Sequence, residues 1–231
     1  AGGGWSGAPA REAPHGISVK RQIRGLPKAE LHVHLDGSLR PQTMIELATE
    51  RGMKLPASDP DQLAAAMRAD DSANLDDYLK AFATTVSVMQ DAEALERIAY
   101  ELVEDHAAEN VWWLEVRFSP WLNAQQGLSM DGVLEAVQRG LKRGSSEFGV
   151  QTGIIVCALR HLDPAISVEL AELAVAHRDR GVIAFDLAAG EQGNPASLHA
   201  EAFEFASKHD LSRTVHAGEA FGPVSIRQAI T

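Results

Sequence analysis

Short apolar runs alternate along the chain with longer stretches in which apolar residues recur every three or four positions. The short runs, which suit strands, lie at 31–35, 111–119, 152–160, 182–188 and 213–217. The longer stretches predict amphipathic helices at 59–68, 75–89, 91–110, 129–148, 164–180 and 196–209, with further helices beginning near Pro41 and Pro223. Strands that alternate with helices predict an α/β fold with a parallel sheet.

Five strand–helix units are compatible with a doubly wound open sheet and with the first part of a (β/α)8 barrel. Both architectures build their sites at the carboxyl ends of the strands, where this chain places several polar residues. No Gly-x-Gly-x-x-Gly pattern follows the first strand, so the main reason to favour a dinucleotide-binding sheet is missing. The sequence therefore favours a (β/α)8 TIM-type barrel with about five of its eight units in this chain. We predict one barrel domain over 26–231 after a flexible tail at 1–25 that is rich in Gly, Ala and Pro.

The composition limits the partners of the protein. The chain has 231 residues and a formal net charge of -11, and it lacks a basic block that could neutralise phosphates, so nucleic acid is not an expected partner. No stretch approaches roughly 18 apolar residues, and the first residues lack the apolar segment of a signal peptide. We therefore expect no membrane partner and a cytoplasmic location. The single cysteine, Cys157, lies in an apolar run, which predicts a buried thiol and excludes an internal disulfide.

Two histidines lie two positions apart in the apolar segment AELHVHLDG. On a strand, His32 and His34 would point to one face, while Leu31, Val33 and Leu35 point to the other. Two imidazoles on one face suit zinc and neighbouring transition metals. The pair alone is also compatible with two histidines that pack against other side chains, so it leaves both interpretations open.

A second segment, TVHAGE, ends the fifth predicted strand. His216 can supply a third imidazole to a metal held by His32 and His34, and Glu219 follows where it could face the same cavity. Three nitrogen ligands with an adjacent carboxylate are typical of hydrolytic metal sites, in which the ion activates water and the carboxylate moves protons. Together these residues favour a metal site over separate structural histidines.

The segments LPKAELHVHLDGSLRP, LEVRFSP, ALRHLDP, FDLA and RTVHAGEAFGP occur in this order. Their sequence and spacing resemble adenosine deaminases of the metal-dependent amidohydrolase superfamily, from Leu26 to the end of the chain. The resemblance implies hydrolysis of adenosine, and of 2′-deoxyadenosine, to the 6-oxo nucleoside and ammonia in purine salvage, with one Zn²⁺ ion per active site. It also implies that His32, His34 and His216 are zinc ligands. Glu219 would be the catalytic residue that protonates the purine ring nitrogen N1.

The resemblance further implies a set of contacts with a small purine nucleoside. Asp36 would bind the ribose 5′-hydroxyl, whereas related adenine deaminases carry Glu at that place. Asp36 therefore favours a nucleoside, and an adenine or other aminopurine deaminase is the alternative. A second interpretation is that Asp36 only begins the turn before Gly37. The remaining implied contacts are His34, Ala189 and Gly190, with Leu75, Tyr78, Leu79 and Phe82 as an apolar lid or, alternatively, as an ordinary core-facing stripe of a helix.

Two departures from the family pattern change these expectations. The family carries Asp-Leu-Ala-Gly after the fourth strand, whereas this chain reads DLAAG. Either Ala189 or Gly190 then presents its backbone N–H to the purine, and the following Glu191 either binds purine or faces solvent.

The resemblance also implies three further strands with a catalytic histidine and an aspartate pair. We expect the chain to be a piece of an enzyme whose remainder lies in another chain or is not represented, rather than a short zinc- or purine-binding protein without turnover.

Two more polar residues at strand ends are less specific. Arg117 is expected either to pair with Glu115 or to bond backbone groups inside the barrel, because a buried charge needs a partner. His161 follows the third predicted strand, where a structural role is favoured over a role at the mouth of the site.

Overall fold

The computed structural model describes residues 19–68 and 82–230. The strands are β1 Lys28–His34, β2 Val111–Phe118, β3 Gln151–Leu159, β4 Val182–Ala188 and β5 Ser212–Arg213. The helices are α1 Val19–Gly25, α2 Pro41–Glu50, α3 Pro60–Met67, α4 at 82–87, α5 Ala92–Ala108, α6 Pro120–Asn123, α7 Met130–Phe148, α8 Pro164–Ala176, α9 Ala200–Lys208 and α10 Gly222–Ile230. Short 3₁₀ turns lie at Leu35–Gly37, Arg178–Arg180 and Ala196–His199.

The five strands form one parallel sheet in the order β1-β2-β3-β4-β5. A doubly wound sheet reverses its strand order at a switch point, whereas a (β/α)8 barrel adds each strand beside the preceding one. Among the described residues each strand lies beside the preceding one, which is the strand order of a barrel. The α/β class and the partial barrel predicted from the sequence are therefore confirmed.

Side-chain caps fix the start of four helices near the predicted positions. The carboxylates of Asp59, Asp91 and Asp163 and the hydroxyl of Ser129 each accept a backbone N–H from the first turn of α3, α5, α8 and α7, respectively. Such caps satisfy donors that have no partner inside the helix. The helix predicted at 164–180 ends at Ala176 and continues as a 3₁₀ turn, and the one predicted at 196–209 begins as a 3₁₀ turn.

The first strand contains an irregularity that the sequence pattern did not predict. Glu30 pairs with Leu114 and Val33 pairs with Val116, so β1 has one residue more than β2 between these two pairs. Such a bulge interrupts the alternation of side chains between the two faces of a strand. Leu31 was expected on the same face as Val33 and Leu35, but Leu31 is 55% exposed whereas Leu35 is fully buried, which corrects that expectation.

The fifth strand is shorter than the predicted 213–217, because regular pairing covers only Ser212–Arg213. Two further backbone bonds nevertheless continue along β4, from Thr214 N to the carbonyl of Phe185 at 2.9 Å and from His216 N to that of Leu187 at 3.0 Å. These bonds hold His216 against the carboxyl end of β4.

The hydrophobic core lies between the sheet and its covering helices, with Leu114, Val116, Val156 and Phe185 fully buried on the strands. Cys157 is buried as predicted, and burial raises the pKa of its thiol. Within 19–68 and 82–230, no helix is long and apolar enough to cross a membrane.

The predicted tail at 1–25 is described only from residue 19 onward, where Val19–Gly25 forms helix α1 without a buried residue. The domain boundary at 25/26 stays a prediction.

Candidate active site

A cavity of about 1040 Å³ opens at the carboxyl ends of the strands. Its apolar wall includes Phe82, Val86, Leu122, Leu159 and Val215. Its polar lining includes His32, His34, Asp36, His161, His216 and Glu219. An apolar cavity with a few convergent polar groups is typical of a small-molecule site, and this end of a parallel barrel is where such sites form.

Three imidazole rings in the cavity lining converge on one point. Nε2 of His216 lies 2.9 Å from Nε2 of His32 and 3.1 Å from Nε2 of His34. β1 supplies two of the rings and the segment after β5 supplies the third, so residues that are far apart in sequence meet only through the sheet. Among the described residues these three form a group whose ligand atoms all lie within 4.8 Å of one another.

The surroundings keep two of these rings in their neutral form. Burial lowers the pKa of His34 to about 4, and repulsion from His216, His32 and Arg117 acts in the same direction. Burial and the positive charge of Arg117 also lower the pKa of His32. Neutral imidazole carries the lone pair that a metal ion needs, so both shifts favour metal binding.

A buried aspartate on β4 orients the third ring. Oδ2 of Asp186 lies 2.9 Å from Nδ1 of His216, a charge contact without the geometry of a hydrogen bond. The negative charge beside Nδ1 favours a proton on that atom, which leaves the Nε2 lone pair for the cluster. Burial raises the pKa of Asp186, but His216, Arg117 and the N–H of Leu187 lower it by more, so the carboxylate is ionised. Arg117 donates to Asp186 Oδ2 at 2.9 Å and to the carbonyl of Leu31 at 3.0 Å.

Arg117 and Glu115 therefore do not pair with each other. Arg117 pairs with Asp186 and also donates to a backbone carbonyl, as the expectation of a backbone bond allowed. Glu115 Oε1 instead accepts the indole N–H of Trp113. The sequence pattern gave no role to Asp186 as a partner. The available signal was an aspartate in the apolar strand VIAFDLA, where a buried charge requires a partner of opposite charge.

Asp36 lines the cavity directly after β1 and is only 7% exposed. Burial raises its pKa to about 6, although its own N–H and that of Gly37 act in the opposite direction. Among the described residues Oδ1 of Asp36 has no hydrogen-bond partner, and Nδ1 of His34 lies 3.8 Å away, too far for a hydrogen bond. Asp36 also lies in the 3₁₀ turn Leu35–Gly37, so the turn interpretation describes its backbone while its carboxylate remains available to a ligand.

Ala189 and Gly190, in the segment DLAAG that departs from the family pattern, differ in their position relative to the cavity. Ala189 lines the cavity, with its backbone in the left-handed region at φ 76°, whereas Gly190 is not among the described lining residues. The left-handed region favours glycine because a Cβ atom there meets backbone atoms. Ala189 thus occupies the place at which the resemblance implies glycine.

Phe82 is the one residue of the predicted lid that lies within the described residues. It lines the cavity, and its ring centroid lies 6.3 Å from that of His34 in an edge-on arrangement. A Cβ atom on Gly37 would lie 3.4 Å from the same ring, so the turn after β1 packs closely against Phe82. Leu75, Tyr78 and Leu79 lie outside the described residues.

Glu219 lines the cavity from the segment between β5 and α10. Glu191 was expected to bind purine or to face solvent, and the structure corrects both expectations. It is 3% exposed, is not among the described lining residues, and accepts hydrogen bonds from the backbone N–H groups of Glu219, Ala220 and Phe221. Loop conformation decides this contact, and no local sequence signal predicts it.

His161 is exposed and lines the cavity, whereas a structural role was favoured from the sequence. It does not belong to the three-histidine group. Its position therefore supports the alternative role at the mouth of the site.

The donor set suits a metal ion. Three imidazole nitrogens, two from β1 and one from the segment after β5, match the ligand type of zinc, and two of the rings are held neutral. A catalytic zinc ion with three protein ligands takes a further ligand from water or substrate. The carboxylate behind His216 is the kind of outer group that orients metal-binding histidines. His32, His34 and His216 could therefore hold such an ion.

A family model and the sequences of curated relatives point to the same family for this chain. A family model described as adenosine deaminase matches residues 27–231. The chain is 45% identical over 216 residues to an adenosine deaminase from Mycobacterium avium (strain 104), and the match covers 90% of this chain and 58% of that protein. The chain thus spans a little more than half the length of this relative.

Solved structures of similar chains share the fold. An adenine deaminase from Arthrobacter aurescens is 27% identical with a TM-score of 0.78 over 87% of this chain and 61% of its own. An amidohydrolase with bound Zn from Burkhoderia ambifaria is 25% identical with a TM-score of 0.80 over 93% and 59%. An Arabidopsis protein complexed with IMP is 30% identical with a TM-score of 0.76 over 89% and 62%.

Proposed function

This chain belongs to the adenosine deaminase family, and we propose that it builds the zinc site of an enzyme that hydrolyses adenosine to inosine and ammonia. The 2′-deoxynucleoside is the second expected substrate, and the reaction is one of purine salvage. The observation that carries the proposal is the convergence of three imidazole Nε2 atoms beside a cavity that Glu219 also lines.

His32, His34 and His216 would hold one zinc ion. The chemistry of the donors and the neutral state of two rings support zinc, as does the bound Zn of the Burkhoderia ambifaria amidohydrolase. An ion held there would supply an activated water at neutral pH. Asp186 contributes by fixing the ring of His216, and Arg117 keeps that carboxylate charged and in place.

Glu219 carries the proton in this proposal. Its side chain lines the cavity, where it would deliver a proton to N1 of the purine. Protonation of N1 makes C6 electrophilic, so the aromatic ring does not take up negative charge as water adds at C6. One proton of the added water would return Glu219 to its carboxylic acid form, and the other would pass from the new C6 hydroxyl to the amino group. Ammonia then leaves, and the 6-oxo product keeps the proton at N1, so Glu219 donates one proton and accepts one.

Substrate selection would rest on Asp36 and on the apolar wall. Oδ1 of Asp36, which has no hydrogen-bond partner within 19–68 and 82–230, would accept a hydrogen bond from the ribose 5′-hydroxyl, and this bond would compensate for the cost of its burial. The purine would lie against Phe82, Val86 and neighbouring apolar groups. The backbone of Ala189 would approach the base from the end of β4.

Two neighbouring substrate classes are the alternatives. The Arthrobacter aurescens structure, an adenine deaminase, favours a free base, and the Arabidopsis structure with IMP favours a nucleotide. A 5′-phosphate would bring negative charge beside Asp36, which is a physical reason to prefer the nucleoside.

The test compares adenosine, 2′-deoxyadenosine, adenine and AMP as substrates of the native protein, with absorbance, ammonia release and zinc content measured on one preparation. We expect both nucleosides to react fastest, with about one zinc ion per site. A preference for adenine would remove Asp36 from substrate binding, and a preference for AMP would favour the nucleotide reaction. Bound zinc without turnover of any of the four would overturn the enzymatic proposal in favour of a zinc- or purine-binding protein.

A further inference from the structure

Glu191 holds the segment that carries both His216 and Glu219. Oε1 of Glu191 accepts the backbone N–H of Glu219 at 3.3 Å. Oε2 accepts those of Ala220 at 3.0 Å and Phe221 at 2.7 Å. One carboxylate thus binds three consecutive backbone donors immediately before α10 begins at Gly222.

A second buried charge fixes the other end of the same segment. Arg160, 2% exposed at the end of β3, donates to the carbonyl of His216 at 2.7 Å and to that of Asn194 at 2.8 Å. Asn194 N in turn donates to the carbonyl of Glu191 at 3.1 Å. The loop after β4 is therefore tied to the segment after β5 at both of its ends.

The burial of Glu191 needs an explanation, because an ionised carboxylate is costly to remove from water. Glu219, Ala220 and Phe221 are exposed residues, but their hydrogen bonds to Glu191 are partly buried, so the three backbone N–H groups take the place of water around the carboxylate. Burial raises the pKa of Glu191, but the three N–H groups lower it by more, so the carboxylate is charged at neutral pH. The contact fixes three consecutive backbone N–H groups relative to the carboxylate of Glu191.

We propose that Glu191 is a positioning residue, which fixes the backbone of Glu219 so that its carboxyl group meets the substrate in the cavity. This inference rests on the proposed function of Glu219. Glu191 itself touches neither the cavity nor the histidine cluster among the described residues. Misplacement of a reacting group by about 1 Å costs on the order of 10²-fold in rate, so the loss of this contact affects the proton transfer more than substrate binding.

The test uses Glu191→Gln, Glu219→Gln and the double variant in the native protein. Glutamine keeps the size of the side chain, but its NH₂ group would face backbone donors, so at least one of the three bonds is lost. We expect Glu191→Gln to lower kcat by roughly 10- to 100-fold while KM for adenosine and the zinc content stay near their wild-type values. Glu201→Gln, on the exposed surface of α9, is the matched control and should leave kcat unchanged.

The double variant separates positioning from a structural role. If Glu191 acts through Glu219, its substitution costs less than about twofold in the Glu219→Gln background, because coupled residues are not additive. A structural role reduces the amount of active enzyme and lowers the rate by the same factor in both backgrounds. Equal factors, or a wild-type kcat in Glu191→Gln, would overturn the inference.

Amide hydrogen exchange gives a readout that does not depend on catalysis. In the wild-type protein the amides of Ala220 and Phe221 should exchange at least about tenfold more slowly than unprotected amides, and Glu191→Gln should remove this protection there first. Exchange of both amides at unprotected rates in the wild-type protein would overturn the inference even if the variants fail to fold. If exchange is slow and no purine is deaminated, the proposed function fails while the backbone contact stands.

Discussion

The buried carboxyl groups near the cavity differ in the partners that compensate for their burial. Asp186 has Arg117 and His216 as partners, and Glu191 has three backbone donors. Asp36 lacks a hydrogen-bond partner at Oδ1 among the described residues, although it is nearly as buried. A buried acceptor without a donor costs about 1–3 kcal/mol, which a ligand hydroxyl can recover. This contrast is the residue-level support for a substrate contact at Asp36.

The role of Glu219 leads to a prediction at the same scale. Glu219→Gln keeps the shape of the side chain but removes the exchangeable carboxyl proton, so kcat for adenosine should fall by at least about 10²-fold. The zinc content should not change, because Glu219 does not belong to the histidine group. Deamination and metal content are measured on one preparation, with Glu201→Gln as the control. Near-wild-type turnover would remove Glu219 from the mechanism.

Close helix contact on the outer layer depends on glycine. On α7, a Cβ atom at Gly140 would lie 2.2 Å from the carbonyl oxygen of Glu96 on α5, and one at Gly144 would lie 2.7 Å from Cβ of Val103. Backbone atoms cannot move aside as a flexible side chain can. These glycines weaken α7 locally but let two long helices pack together behind the strands that carry the site.

We therefore expect Gly140→Ala to lower the free energy of unfolding by about 1–3 kcal/mol, the usual cost of overpacking. Alanine stabilises an isolated helix relative to glycine, so helix propensity alone gives the opposite sign. Gly25→Ala is the control, because a Cβ atom there meets nothing within 4 Å. Urea denaturation of both variants measures the effect, and an unchanged midpoint for Gly140→Ala would show that α5 and α7 can separate without cost.

At the scale of the whole molecule, a metal at the three histidines would join the first strand to the segment after the fifth. β1 and β5 lie at opposite ends of the sheet order among the described residues, so no backbone pairing joins them there. An ion bound by His32, His34 and His216 would connect β1 directly to the segment after β5. An ion that binds only the folded state adds about 4 kcal/mol at a concentration of roughly 1,000 times Kd. Metal binding should therefore contribute to global stability as well as to chemistry.

Chelation of zinc should lower Tm by about 10 °C, since 1 kcal/mol shifts Tm by roughly 2–4 °C in a chain of this size. His216→Ala should have a lower Tm in the presence of zinc and lose most of its response to chelator. His209→Gln, an exposed histidine outside the cluster, should respond like the wild type. Calorimetric scans with and without chelator measure this, and equal chelator responses in His216→Ala and the wild type would place the stabilising ion elsewhere.

The sequence by itself determined the alternation of strands and helices, because apolar periodicity and capping residues act over a few neighbouring positions. It also indicated the three histidines and Glu219, whose residue types and strand-end positions carry chemical information. Only the tertiary structure decided that β1 contains a bulge, that Arg117 pairs with Asp186 rather than with Glu115, and that Glu191 binds the backbone of the Glu219 segment. These contacts join residues 28 to 69 positions apart, and the packing of separate strands and loops, rather than local sequence preference, brings such residues together.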